Sequence, residues 1–252
     1  MRSKNMTEPQ AQYPLWIEGG WTRNRLMSMA REIGQRAFDR GFRMRAYTDE
    51  DREFSEADIV KCFHNEVRIE DVVFPDWPRY VGVDLSGAGR PGNVIYVLAN
   101  SPQGVRYPIE ILSGSWKSPE TARILHDVCD RHRPMVVKVE NNGYQTSLIE
   151  WCAEMGWSGM PIEGFMTGRQ KADAEVGVPS LAVEFHNGSW FVAMGGRVHE
   201  FDCKCGFCEF RKDLRSYPIP ERSYDYLMAS WFAREGAREG KKAKRKLLVD
   251  SW

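Results

Sequence analysis

The sequence lacks several features that would assign the protein to a common functional class. Its 35 Lys and Arg residues balance its 35 Asp and Glu residues, so the net charge does not indicate a nucleic-acid or membrane partner. No apolar run approaches the roughly 18 residues that cross a bilayer. The polar segment Met1 to Gln12 is unlike the apolar core of a secretory signal. We therefore expect a cytosolic protein without a membrane partner.

The six cysteines are not spread along the chain as in a disulfide framework. Three of them lie close together and follow a histidine, in the order His199, Cys203, Cys205, Cys208. Thiolates and imidazole in a tetrahedron select Zn²⁺, so this segment predicts a structural zinc site. The alternative is a set of free thiols in a loop.

The composition of the chain changes near Pro75. Residues 1–75 are polar, rich in Arg and Met, and show no convincing strand. They predict an N-terminal connector that is partly helical or flexible, with one helix over 26–42 and a second, short helix capped by Ser55. Residues 76–252 form the second predicted domain, which carries the Cys/His loop at 199–208 and a basic tail at 241–246.

The second domain alternates short apolar runs with helical stretches. Five strands are predicted, over 80–84, 93–99, 105–112, 135–139 and 160–165. Helices are predicted after the third strand, after the fourth strand and over 224–235, and a β-hairpin insertion around Asn187-Gly188. Three antiparallel strands followed by alternating helices and strands predict an α/β fold, a mixed sheet flanked by helices.

Three acidic residues stand at the ends of these predicted elements. Asp84 ends the first strand, Glu140 ends the fourth strand, and Asp225 begins the last helix. Sites in open α/β sheets form at the carboxyl ends of strands, so the three carboxylates are expected at one edge. Carboxylates that lie so close together raise one another's pKa unless a cation lies between them. Their hard oxygen atoms suit Mg²⁺ or Mn²⁺.

Each acid also has a structural interpretation. Asp84 could form a turn, Glu140 could be an ordinary charged residue before a turn, and Asp225 could interact with the helix dipole. Their combination at one predicted edge favours a metal site over three separate structural roles.

Three segments resemble the motif series of the nuclease domain of viral (bacteriophage) terminase large subunits. They are VGVDLS at 81–86, VKVENNGY at 137–144 and DYLMASWFA at 225–233. The resemblance covers about residues 76–235 and implies a ribonuclease H-like fold that binds two Mg²⁺ or Mn²⁺ ions. It implies Asp84, Glu140 and Asp225 as catalytic metal ligands of an endonuclease that cleaves double-stranded DNA during genome packaging in the cytoplasm of the infected host cell.

The sequence departs from that family in two ways. Tyr224 precedes Asp225 where family members often carry a second acid, so a nearby acid such as Asp173 could assist. The chain also has no Gly-x-x-x-x-Gly-Lys-Ser/Thr loop, although the family couples its nuclease to an ATPase. Either the ATPase is a separate polypeptide, or this chain is a truncated form. The partners that the resemblance implies are double-stranded DNA, a separate packaging ATPase, the small terminase subunit and the portal.

Four basic residues are candidates for contacts with DNA phosphates. Lys171 lies where family members often have a lysine, Arg169 is close to it, and Lys241 and Lys242 begin the basic tail. Each could instead be a solvated surface cation. The alternatives to a packaging nuclease are a Holliday-junction resolvase, a ribonuclease H-type nuclease, or a non-catalytic zinc-stapled module for DNA binding or assembly.

Overall fold

The computed structural model describes the protein at residues 23–33, 38, 42, 52–85, 92–140, 143–157, 159–165, 173, 177–196, 199–200, 202–219 and 222–249. At 23, 30, 33, 143–145 and 241–249 it describes the backbone alone. The chain divides into two compact units: Met1–Arg52 with Pro218–Glu221, and Glu53–Tyr217 with Arg222–Trp252.

The first unit contains helix α1 (Arg23–Ile33). Leu26, from the predicted apolar stripe, is buried, whereas the rest of the helix is largely polar. Further along, Phe38 and Phe42 stack with their ring centroids 5.0 Å apart. A helix is thus confirmed within the first part of the predicted span 26–42.

The second unit begins before the boundary that composition suggests. Its elements are, in chain order, α2 (Glu56–Cys62), β1 (Phe63–His64), a 3-10 turn (Ile69–Asp71), β2 (Arg79–Asp84), β3 (Asn93–Asn100), β4 (Arg106–Gly114), α3 (Ser118–His132), β5 (Val136–Glu140), α4 (Gly143–Glu154), β6 (Ile162–Phe165), α5 (Pro179–His186), β7 (Val192–Ala193), α6 (Gly206–Ser216) and α7 (Asp225–Val249). Ser55 caps α2 by accepting the backbone N–H of Asp58, as predicted. Residues before Pro75 belong to this unit because β1 pairs in parallel with β7, far along the chain.

The main sheet has five strands in the order β4-β3-β2-β5-β6. β2, β3 and β4 are antiparallel neighbours, whereas β5 runs parallel to β2 and β6 parallel to β5. This is the predicted mixed sheet, with the first and fourth predicted strands side by side.

Helices cover both faces of the sheet because side chains alternate along each strand. Val81 and Val83 of β2, and Val137 and Val139 of β5, point to one face and pack with buried residues of α3 and α4. The intervening residues of these strands point to the other face, where α7 packs on β2, β3 and β5. The main apolar core therefore lies under α3 and α4, and the α7 face has its own contacts.

Helix α7 packs directly on the backbone of β2. A Cβ atom at Gly82 would lie 2.0 Å from the carbonyl oxygen of Ala229 and 2.5 Å from the amide of Ala233. Further along the helix, Gly236 packs on Val136 and Gly240 on Tyr80. The small residues on this face of α7 therefore allow a separation that ordinary side chains would prevent.

A buried lysine fastens the same helix to the sheet. Lys138 of β5 is 5% exposed and donates to Glu163 of β6 at 2.7 Å and to Glu239 of α7 at 2.6 Å. Burial alone would lower the pKa of Lys138, but its two carboxylate partners raise the pKa overall. Lys138 therefore keeps its positive charge, and its two ion pairs connect β5 with β6 and with α7.

The predicted β-hairpin around Asn187-Gly188 is wrong. Its first strand is helix α5, which begins with Pro179 at its first position. The apolar residues Leu181, Val183 and Phe185 alternate like a strand, yet Leu181 and Phe185 are buried and Val183 is 57% exposed. Burial at i and i+4 shows that the helical period prevails. Asn187 ends this helix instead of turning a hairpin.

Two further differences concern helices. Helix α4, which was predicted after the fourth strand, buries Leu148 and Cys152 but leaves Trp151 36% exposed. Helix α6 was not predicted, and it begins inside the predicted Cys/His loop. Within the described part of the chain, no helix has the length and apolar character needed to cross a membrane.

We predict that Gly82→Ala lowers the free energy of unfolding by about 3 kcal/mol, because the new methyl group meets backbone atoms that cannot rotate away. The matched control is Gly159→Ala, where an added Cβ would meet no atom within 4 Å. That variant should change stability by less than about 0.5 kcal/mol. Urea unfolding measures both, and equal stabilities would contradict the close packing of α7.

Candidate metal sites

The register of the sheet brings Asp84 and Glu140 to the same level. Val83 of β2 pairs with Val139 of β5, so the two acids are the next residues on adjacent parallel strands. Adjacent strands lie about 4.8 Å apart. Along each strand the acid directly follows a valine that points into the main core. Because side chains alternate between the two faces, both acidic side chains are on the face that α7 covers. Their exposure is intermediate.

Helix α7 brings Asp225 to the same place. Its residue Ala229 lies over Gly82 and its Gly236 over Val136, so the helix starts near the carboxyl end of β2. Asp225 lies four residues before Ala229, about 6 Å along the helix axis. Asp84 lies two residues after Gly82, about 6.6 Å along the strand. The helix start and the strand end are therefore level with each other.

Contacts at the start of β3 agree with this placement. A Cβ at Gly92 would lie 2.4 Å from Oδ2 of Asp225, and Gly92 has a positive φ of 131° that favours glycine. β3 pairs with β2 such that Val94 is opposite Asp84. Ser223 also donates a hydrogen bond to Oδ1 of Asp225. The three predicted acids thus share one edge and one face of the sheet.

The three carboxylates do not form a group spaced for a single ion. A single ion needs ligand atoms that lie within about 4.8 Å of one another. Among the described residues, the Cys/His cluster is the group that meets this spacing. The sequence-based prediction is of two ions divided among the acids, and their individual roles remain predictions. The auxiliary role suggested for Asp173 also remains a prediction.

A fourth acid near Asp225 was missed by sequence reasoning. Asp213 of α6 is 5% exposed, and its Oδ2 accepts the backbone N–H groups of Tyr226 at 3.1 Å and Leu227 at 3.2 Å. The pKa of Asp213 is raised to about 7, chiefly because burial outweighs the lowering effects of the Leu227 N–H and of Arg222. The available signal was an acid on the apolar stripe of an amphipathic segment, between Phe210 and Leu214.

The predicted Cys/His cluster is assembled. The ligand atoms of His199, Cys203, Cys205 and Cys208 all lie within 4.8 Å of one another. Nδ1 of His199 is 3.5 Å from two of the sulfur atoms and 3.2 Å from the third. A tetrahedral zinc ion, with bonds of about 2.3 Å to sulfur and 2.0–2.1 Å to nitrogen, requires N–S separations of about 3.5 Å. The spacing therefore fits zinc.

The histidine is oriented for this purpose. Nε2 of His199 lies 2.8 Å from the carbonyl oxygen of Met194. A carbonyl oxygen can only accept, so Nε2 carries the proton and Nδ1 presents its lone pair to the three thiols. A backbone acceptor behind the ligating imidazole is the usual outer contact of a zinc-bound histidine.

The thiols favour a bound cation. Burial raises the pKa of Cys208 to about 12, whereas a hydrogen bond from the backbone of Cys205 is the main cause that lowers the pKa of Cys203 to about 6. A metal ion would allow all three thiols to ionise together. The resulting centre of three thiolates, one imidazole and Zn²⁺ would carry one negative charge, close to the ammonium group of Lys212, which donates to the carbonyl of Cys203 at 3.3 Å.

The DNA-contact candidates are placed only in part. Arg169 and Lys171 lie outside the described residues. Lys241 and Lys242 lie on the continuation of α7, which extends as a helix of 25 residues to Val249. Lys241 is about 24 Å along the helix axis from Asp225. The basic tail is therefore remote from the acidic edge.

Comparison with known proteins supports the fold. No protein-family model matches the sequence, and no curated protein matches it. The nuclease domain of the P22 large terminase is similar in structure, with a TM-score of 0.51, 13% identity, and coverage of 74% of this chain and 92% of that domain. A mutant of the bacteriophage Sf6 large terminase subunit, solved with calcium, gives a TM-score of 0.50, 10% identity, and coverage of 72% and 98%.

The large terminase of bacteriophage HK97 gives a TM-score of 0.50 at 11% identity. The similarity covers 86% of this chain but 51% of the HK97 chain, so this chain spans about half the length of that protein. At these identities the likeness is one of fold. The ribonuclease H-like mixed sheet that the motif resemblance implies is confirmed, and it is the fold of large terminase nuclease domains.

Proposed function

We propose that the protein is a metal-dependent endonuclease that cleaves double-stranded DNA during viral genome packaging in the infected host cell. The observation that carries the proposal is the placement of Asp84, Glu140 and Asp225 on one face, at one edge of the sheet. The fold shared with large terminase nuclease domains supports it. Carboxylates in this arrangement suit hard divalent ions, Mg²⁺ or Mn²⁺.

The positions of the acids suggest how they would divide two ions. Asp84 ends the central strand of the sheet, between β3 and β5, and its carboxylate would serve both ions. Glu140 would hold one ion from the β5 side, and Asp225 would hold the other from α7. Two ions so held supply Lewis acidity at the attacking and leaving oxygens of an in-line phosphoryl displacement.

The remaining partners follow from the same proposal. Arg169 and Lys171 would contact DNA phosphates, and Lys241 and Lys242 would contact either a phosphate far from the acids or an acidic partner. The other partners that we propose are a separate packaging ATPase, the small terminase subunit and the portal.

We also propose that the Cys/His cluster binds one structural Zn²⁺. Four protein ligands with sulfur and nitrogen donors leave no open coordination position, which is typical of structural and not of catalytic zinc. The orientation of His199 by the carbonyl oxygen of Met194 favours this assignment over four unrelated free side chains.

For the nuclease, we predict that wild-type protein nicks plasmid DNA with Mn²⁺ and that Asp84→Asn lowers the rate about 100-fold or more, because the bridging carboxylate is lost. Glu140→Gln and Asp225→Asn should each have a comparable effect. The matched control is Glu150→Gln, the same kind of change at an exposed acid of α4, which should leave the rate unchanged.

Undiminished cleavage by Asp84→Asn would contradict the catalytic assignment. Parallel assays on linear duplex, four-way junctions and RNA–DNA hybrids separate the proposal from the other nucleases of this fold. A strong preference for junctions would favour a resolvase, and a preference for hybrids a ribonuclease H. Binding of DNA with no cleavage under any divalent metal would favour the non-catalytic module.

For the zinc site, we predict one Zn²⁺ per chain in purified protein by elemental analysis. Cys205→Ala should abolish stoichiometric zinc, whereas Cys129→Ala, at a free cysteine in α3, should retain it. Ligand at 100 times its Kd stabilises a fold by about 2.7 kcal/mol, so a chelator should lower the Tm of wild type but not of Cys205→Ala. Zinc-free wild-type protein with an unchanged Tm would refute this site.

A further inference from the structure

Helix α6 connects the Cys/His cluster to the start of α7. Cys205 is the N-cap residue of α6 and makes no side-chain capping hydrogen bond, and Cys208 lies in its first turn. Two of the four zinc ligands are therefore at one end of this helix. Toward its other end, Asp213 accepts the backbone N–H groups of Tyr226 and Leu227.

Packing holds α6 as a single body between these two ends. Phe210 and Leu214 are fully buried. Gly206 lies against β4 so closely that a Cβ there would be 2.6 Å from the Cβ and carbonyl oxygen of Ile111. A displacement at the cysteines would therefore be transmitted along the helix, since neither its start nor its middle has space to absorb it.

The contacts of Asp213 supply the N-terminal capping of α7 from another helix. The first N–H groups of a helix have no partner within it, and a side-chain oxygen usually satisfies them. Here Oδ2 of Asp213 satisfies two of them, and Oδ1 faces the guanidinium of Arg222 at 3.6 Å. The hydroxyl of Tyr224 also donates to the carbonyl oxygen of Ser216, at the end of α6. The first turn of α7 is thus attached to α6.

Asp225 is the residue immediately before these two amides. Its neighbours on both sides, Tyr224 and Tyr226, are bonded to α6, while its own carboxylate lies against Gly92 at the sheet edge. The position of this carboxylate relative to Asp84 therefore depends on where α6 holds the helix start.

We propose that Asp213 is a positioning residue for the nuclease site and that the metal-loaded Cys/His cluster, acting through α6, fixes the place of Asp225. The inference rests on the proposed function, because it makes affinity for the divalent ion at the sheet edge depend on a second, chemically different metal centre. Metal loss at the cysteines would weaken the edge site without touching any of its ligands.

The experiment compares Asp213→Ala with Asp213→Asn. The alanine variant removes the acceptor, whereas the asparagine carbonyl can still accept both amides. Glu209→Gln is the matched control, an acid one turn earlier on α6 that bonds Lys212 instead of α7. Measurements are Mn²⁺ affinity by calorimetry without DNA, zinc content, and hydrogen exchange at the amides of Tyr226 and Leu227.

We expect Asp213→Ala to weaken Mn²⁺ binding about tenfold, as loss of outer-shell support does at other metal sites. Exchange at the two amides should accelerate and the bound zinc should remain. Asp213→Asn should restore most of the Mn²⁺ affinity. Cys205→Ala should weaken Mn²⁺ binding and speed exchange at the same two amides, and the double variant should lose less than the sum of the two changes.

Unchanged Mn²⁺ affinity in Asp213→Ala, or unchanged exchange at Tyr226 and Leu227 in Cys205→Ala, would overturn the inference. Failure of the proposed function gives a different result: Mn²⁺ binding would then be insensitive to Asp84→Asn. Zinc-dependent exchange at the two amides would still support the coupling through α6 in that case, since this readout needs no nuclease activity.

Discussion

The contact between the backbones of α7 and β2 at Gly82 determines much of the second unit. With no side chain between them, the helix lies directly against the sheet, and small residues at successive turns continue the contact to Tyr80. This contact fixes the position of α7 along the direction of β2. The first turn of the helix therefore lies level with the carboxyl ends of β2 and β5. A larger residue at Gly82 would separate the layers and remove that alignment.

The same unit contains two sets of proposed metal ligands, which differ in chemical character. Carboxylate oxygens stand at the sheet edge, and thiols with one imidazole stand at the start of α6. Hard divalent ions prefer the first set and zinc prefers the second. Because ligand softness separates them, each set can select its own ion from a mixture without a barrier between the sites.

Much of the sheet could be predicted from the sequence because buried strands such as 80–84 and 93–99 are bounded by turn residues and lie consecutively. The site prediction required that the strands ending in Asp84 and Glu140 be neighbours, and the observed strand order meets this condition. Local ligand spacing was enough to predict the cluster of His199 with its three cysteines.

The failures have common physical causes. Alternating apolar residues at 181, 183 and 185 fit a strand as well as a helix, and only tertiary burial decides between them. The last helix was predicted to end at Glu235, before Gly236, but it continues to Val249. Gly236 and Gly240 do not end the helix; they allow it to pack closely on Val136 and Tyr80. The capping role of Asp213 depends on a partner helix that no local pattern reveals.

The balance of 35 basic and 35 acidic residues conceals an ordered separation of charge. Helix α7 begins at the acidic edge and runs into a segment with five cationic side chains, at 241, 242, 244, 245 and 246. The charged groups therefore give a dipole along the helix axis, negative at the start of α7 and positive near its end. This dipole is opposite in direction to the backbone dipole of the helix, which is positive at the start. Near a polyanion the basic end of α7 would point toward the polyanion and the acidic edge would point away from it. Salt would weaken this orientation. Cations bound at the edge would reduce this asymmetry, so metal loading would change how the unit orients in the field of a polyanion.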